Sequence, residues 1–194
     1  MAIRIPDSCP SKATVGEERV HALLRDALPD HFTAWYEPRV GDRYPDFTVM
    51  AADFGLLVRE VKGWYIDQIT RANDRRVVRH RTVAGQVLME DHPHPNRQAR
   101  EYLFALLDRR NRPEFAILRQ ADGEHRGKPC FPCGYGALLT TITRAQLDEG
   151  GLTPVFPPDG SSAAMGWRCW RRPAIARSSA ISSGSSRPGS GPTR

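Results

Sequence analysis

The sequence has no run of about 18 apolar residues, so no segment reads as a membrane span. Its opening, Met1-Ala2-Ile3-Arg4-Ile5, lacks the apolar stretch of a secretory signal, which places the chain in the cytoplasm as an expectation. There are only four cysteines, Cys9, Cys130, Cys133 and Cys169, too few for a disulfide framework in a reducing compartment. Cys130-Phe-Pro-Cys133 has zinc-knuckle spacing, but no second Cys/His pair follows at a suitable distance. These two are read as structural cysteines, buried or half-buried in a strand. No internal repeats occur.

Lysine, aspartate and glutamate are missing from residues 161–194, which hold six arginines among Ser, Gly, Pro and Ala. The formal charge of +6 therefore lies in this tail, because the other 22 basic residues are matched by 22 acidic ones in residues 1–160. The basic balance says little about the folded part, and nucleic-acid binding has to be argued from a site. Such a tail cannot bury enough apolar surface to offset its ordering entropy, so it is expected to be disordered. It reads either as a genuine flexible extension or as the product of a shifted frame in a GC-rich gene. The preceding chain is 194 residues minus this tail, long enough for one domain with a real core.

Within residues 12–158, apolar patterns alternate with turn signals. Thr14-Val-Gly-Glu17 predicts a capping box opening a helix, with Val20, Leu23, Leu24, Ala27 and Leu28 on its buried stripe and Pro29-Asp30 as its stop. Phe47–Ala51 and Leu56–Val61 predict a hairpin closed by Asp53-Phe-Gly55. Residues 66–89 lean to strand, with a turn at Arg75-Arg76 and strand centres at Val77-Val78 and Val87-Leu88. Pro95 suits the first position of a second helix that buries Ala99, Tyr102, Leu103, Leu106 and Leu107. Glu114–Leu118 reads as a core strand, Cys130–Leu139 as a glycine-interrupted one, and Thr143-x-x-Gln146 as the cap of a short last helix.

The chemistry-bearing stretch is Tyr44-Pro45-Asp46-Phe47 followed by Glu60-Val61-Lys62-Gly63-Trp64. Side chains alternate along a strand, so Glu60 and Lys62 share a face. A three-residue loop at Asp53–Gly55 puts Asp46 opposite Lys62 and diagonal to Glu60, within the roughly 5–8 Å of cross-strand neighbours. Two carboxylates and a backbone carbonyl, that of Val61, form a hard oxygen site suited to Mg²⁺ or Mn²⁺. Lys62 is a point cation able to orient an attacking water and offset developing charge. On residues alone, Glu60 and Lys62 also fit an ordinary exposed pair.

The order of these segments resembles the PD-(D/E)XK nuclease superfamily, and within it the nuclease-related domain family NERD. The resemblance spans roughly residues 12–158. It rests on Gly16-Glu17, Tyr44-Pro45-Asp46-Phe47, Asp53-Phe54-Gly55-Leu56-Leu57, Glu60-Val61-Lys62-Gly63-Trp64, His94-Pro95-Asn96-Arg97-Gln98, and Phe131-Pro132-Cys133-Gly134-Tyr135-Gly136 followed by Ile142-Thr143. It implies an α/β fold with a restriction-endonuclease-like core, a central mixed sheet of four to five strands flanked by helices. It also implies Glu17, Asp46, Glu60, Lys62 and Gln98 around the metal, and a nucleic-acid partner, DNA foremost, in DNA processing or repair. Related domains are often joined to a helicase. This chain has no Gly-x-x-x-x-Gly-Lys-Ser/Thr loop, so no motor is expected here; if the tail stands in place of a downstream helicase, the chain is a truncated relative. A non-catalytic nucleic-acid-binding or partner-docking module is the alternative.

Other readings accompany these. Glu17 at the third helical position also reciprocates the Thr14 cap, and a first-turn Gln98 commonly faces solvent. Trp64 and Tyr65 are read as packing under a loop rather than stacking on bases. His92 and His94 are read as turn residues beside prolines. Arg75, Arg76, Arg79 and Arg81 are read either as phosphate contacts or as a solvated hairpin.

Overall fold

A computed structural model describes residues 2–109, 116, 118–157 and 161–163. The protein is α/β, built on a mixed sheet in the order β1 (Ile3–Ile5), β2 (Thr33–Tyr36), β3 (Phe47–Ala51), β4 (Gly55–Lys62), β8 (Cys133–Leu139) and β9 (Ser161–Ala163). β1 runs parallel to β2, β2–β3–β4 are antiparallel, and β4, β8 and the short β9 are parallel. The sheet thus exceeds the four to five strands expected. The additions are three-residue edge strands, too short to give an alternating pattern. β1 precedes residue 12 and β9 begins at residue 161, so pairing reaches past both ends of the 12–158 range. The remainder of the expected tail, residues 164–194, lies outside the described residues.

The α1 helix (Val15–Ala27) starts at Thr14, whose hydroxyl accepts from the Glu17 N–H while Glu17 reaches back to the Thr14 N–H. Its Val20 and Leu24 pack on Val49, Leu57 and Val61, forming the core of one sheet face. The α2 helix (Pro95–Arg109) crosses β4 and β8 on the opposite face, burying Ala99 and Leu103. Between β4 and α2 the chain forms a separate antiparallel sheet of β5 (Ile69–Ala72), β6 (Arg76–Val83) and β7 (Gln86–Pro93). The turn expected at Arg75-Arg76 falls at residues 73–75, where Asn73 Oδ1 accepts the N–H groups of Arg75 and Arg76. The α3 helix (Arg144–Glu149) carries the capping box anticipated at Thr143 and Gln146. A second apolar cluster, Trp64, Val77, Leu139, Ile142, Leu147 and Phe156, joins the small sheet to the large one.

Of the strand expected at Glu114–Leu118, residues 114, 115 and 117 lie outside the described residues, and Ala116 and Leu118 belong to no strand. Cys133 is half-buried in β8, but Cys130 is exposed ahead of it, contrary to the expectation for that residue. The β strand ends short of it.

Gly55 belongs to β4 rather than to the loop: it pairs with Ala51 at φ +93°, and residues 52–54 make the turn. A Cβ there would meet the Pro132 carbonyl oxygen at 2.1 Å, the same oxygen that accepts the Leu56 N–H at 2.9 Å. Gly55→Ala is expected to destabilise the protein by about 3 kcal/mol or more, combining a strained φ with a backbone clash. Urea unfolding measures it; a loss under about 1 kcal/mol contradicts the account.

Candidate active site

The β3–β4 register pairs Phe47 with Arg59 and Thr48 with Val58, so Asp46, one residue before β3, falls level with Glu60. Asp46 was expected opposite Lys62. Taking Gly55 into the strand moves the pairing by two residues, which preserves the face on which every side chain lies. Asp46, Glu60 and Lys62 therefore project together toward α2, away from the α1 core. The Asp46 carboxylate accepts the Val61 N–H at 2.6 Å. Successive residues of a strand turn their amide groups to opposite sides. Since the Lys62 carbonyl accepts from Thr140 N–H at 3.0 Å on the β8 side, the Val61 carbonyl faces the Asp46 side.

Glu60 is only 2% exposed, which is rare for a carboxylate. Its Oε1 accepts from the Lys62 ammonium at 2.6 Å. Its Oε2 is buried and has no hydrogen-bond partner among the described residues. Burial is the main force raising both acids. Asp46 is pushed up to about 7, first by desolvation and then by the charge of Glu60, against the pull of the Val61 N–H and Lys62. Glu60 is raised by desolvation, with Lys62 opposing. An unpaired charged oxygen in such surroundings is costly unless a cation answers it.

The other expected residues sit around this pair. Glu17 comes from α1 on the opposite sheet face, where its Oε2 accepts from Thr14 N–H at 2.8 Å and from the Tyr36 hydroxyl at 3.0 Å. Its charge still reaches Asp46 and Glu60, raising both. It caps its helix and belongs to the same electrostatic cluster. Gln98 faces the site from α2 and spends its amide nitrogen on the Tyr102 hydroxyl at 2.8 Å. Tyr102, read from its spacing as a core residue, was missed as a site residue. Burial raises its phenol, and the charges of Glu60 and Asp46 add to that. The available clue was its i+4 relation to Gln98.

Among the described residues no three His, Cys, Asp or Glu side chains group as a metal centre. A hard-cation site of two carboxylates, one main-chain carbonyl and waters does not require three. The orphaned Glu60 Oε2 beside the half-buried Asp46 carboxylate fits such an ion. Trp64 is buried at 5% exposure, as expected, with the Lys62 ammonium 5.9 Å and the Arg79 guanidinium 5.8 Å from its ring centre. Tyr65 is 55% exposed and does not pack under a loop. Of the two histidines expected in turns beside prolines, His94 links β7 to α2 between Pro93 and Pro95, whereas His92 does not lie in a turn. His92 lies within β7, and buried His94 is held by the Val155 carbonyl at 3.1 Å and the Asn96 N–H at 3.2 Å. Arg76, Arg79 and Arg81 pair with Asp91 or Glu90 across the β6–β7 hairpin.

No protein-family model, curated protein or solved structure matches this chain. Among the described residues, no helix is long and apolar enough to cross a membrane.

Proposed function

We propose that the protein is a metal-dependent nuclease-like domain of restriction-endonuclease-like type, akin to NERD, that hydrolyses nucleic-acid phosphodiester bonds in DNA processing or repair. The observation that carries this reading is the buried Glu60 Oε2 left without a partner next to Asp46, with Lys62 on the other oxygen. Asp46, Glu60 and the Val61 carbonyl would hold Mg²⁺ or Mn²⁺. Such an ion supplies a bound water of lowered pKa and offsets charge on the phosphate.

The chain's own groups divide the remaining work. The Lys62 ammonium, fixed by Glu60 and the Trp64 ring, orients the attacking water and balances negative charge growing on the phosphate. Gln98 holds the Tyr102 hydroxyl toward the carboxylates, leaving the phenolic proton to donate. Glu17 adds negative potential from the far side, favouring a divalent over a monovalent cation.

The full-length chain is expected to cut labelled DNA or RNA with Mg²⁺ or Mn²⁺ and to stop when a chelator is added. Calorimetric titration with Mn²⁺ is expected to show binding. A wild-type protein that binds no Mn²⁺ sinks this reading and favours the second one, a non-catalytic nucleic-acid-binding or partner-docking module. The formal neutrality of residues 1–160 speaks for that second reading, since phosphate contacts normally supply affinity.

A further inference from the structure

Between the first turn of α1 and the small sheet lies an open cleft of about 420 Å³. Three expected site residues, Glu17, Val61 and Lys62, line it, together with Arg19, Arg79 and Tyr65. Gly16 sets its floor. A Cβ at Gly16 would come within 2.7 Å of the Thr140 hydroxyl, so only glycine lets α1 sit this close to the end of β8.

The cationic groups of the cleft differ in how they are held. Arg79 is pinned: its guanidinium bonds Glu90 at 2.5 Å and His92 at 3.2 Å, over the Trp64 ring. Arg19 is exposed, makes no ion pair among the described residues, and donates one long hydrogen bond to the Thr140 carbonyl at 3.5 Å. It is a planar donor fork with spare N–H groups at the mouth of the cleft. Tyr65 presents an exposed aromatic ring on the facing wall, with its backbone held by Gln68 at 3.5 Å. Lys62 is paired with Glu60 and Arg79 with Glu90, which leaves Arg19 as the cation of the cleft without a carboxylate partner among the described residues.

We infer that this cleft admits one strand of nucleic acid, with a base stacked on Tyr65 and an adjacent phosphate on Arg19, making single-stranded DNA or RNA the ligand of the site rather than intact duplex. The inference rests on the nuclease-like reading: Val61 and Lys62 belong to both the cleft and the carboxylate site, Asp46 and Glu60 lie outside the cleft, and the bound strand names the substrate class of that neighbouring site. The volume falls in the range of pockets for single small ligands, which suits one unstacked nucleotide. A base inside a duplex keeps its faces stacked on its neighbours and has none to offer Tyr65. An exposed aromatic beside an unpaired arginine is the pairing by which single strands are gripped without regard to sequence.

Binding is measured by fluorescence anisotropy with the full chain in EDTA, so that cutting plays no part. The probes are a labelled mixed-sequence 15-mer as single-stranded DNA, single-stranded RNA, and DNA duplex. At least one single strand is expected to bind about tenfold tighter than the duplex. Tyr65→Ala and Arg19→Ala are each expected to weaken it about tenfold, with Tyr65→Phe retaining affinity. Arg19→Ala is also expected to reduce the salt slope by about 0.7. Equal or tighter binding of the duplex, or unchanged binding by both alanine variants, overturns the inference. The two readings fail separately. Tight single-strand binding without cleavage on adding Mg²⁺ refutes the nuclease, and metal-dependent cutting with no strand preference refutes the cleft assignment.

Discussion

Full-length protein carrying Asp46→Asn is expected to cut a labelled oligonucleotide about a thousandfold more slowly than the wild type under single-turnover conditions. Asparagine is nearly isosteric and keeps an oxygen that can accept the Val61 N–H, now held at 2.6 Å, so the local backbone should stand. What is lost is one of two negative charges available to a cation. Charge stabilisation by a bound divalent ion is worth several kcal/mol, and each 1.36 kcal/mol is tenfold in rate, which sets the expected factor. Lys62→Ala should also slow the reaction without abolishing Mn²⁺ binding, because its ammonium touches Glu60 and not the open Oε2. Indistinguishable rates for wild type and Asp46→Asn would assign the cleavage to a contaminant or to another site.

The second large effect concerns stability against pH in the absence of divalent cations. Asp46 has a folded-state pKa raised from 3.8 to about 7, and Glu60 is raised as well, burial being the chief cause in both. Between those values the folded protein binds more protons than the unfolded chain. Stability is therefore greatest at the acid side of the window and falls as pH rises from about 4 to about 7. The Asp46 contribution is on the order of a few kcal/mol, since one pKa unit corresponds to about 1.4 kcal/mol. Buried His94, whose pKa is lowered by desolvation, works in the opposite direction, so the informative quantity is the difference from Asp46→Asn. In EDTA, the wild type should lose melting temperature relative to that variant between pH 5 and pH 8. Adding Mn²⁺ should restore more at pH 8 than at pH 5, because a cation competes with the protons. Parallel melting curves across that range would show that Asp46 does not carry a raised pKa.

Much of this arrangement could be read from residues. Thr14 with Glu17, and Thr143 with Gln146, announced two helices because capping is local and its chemistry lies within four positions. The Asp46, Glu60 and Lys62 face followed from strand alternation, which survives an error of two residues in register. The register itself did not, because the place of Gly55 depends on Pro132, a contact far away in sequence. The edge strands Ile3–Ile5 and Ser161–Ala163 were missed because three residues show no period. Tyr102 resembled any half-buried helix aromatic until the charges of Glu60 and Asp46 were seen to act on it.

The parallel partnership of β4 with β8 bears on how the molecule comes into being. During synthesis the hairpin carrying Asp46 and Glu60 emerges early and can pair at once with itself. Its outer neighbour, Cys133–Leu139, arrives only after the whole meander and α2 have left the ribosome. Distant pairings of this kind form late and slowly. Without that neighbour, β4 and its Glu60 would lie at the edge of the sheet. The dry surroundings that give its carboxyl group unusual properties thus depend on a segment far along the chain that carries none of the acids.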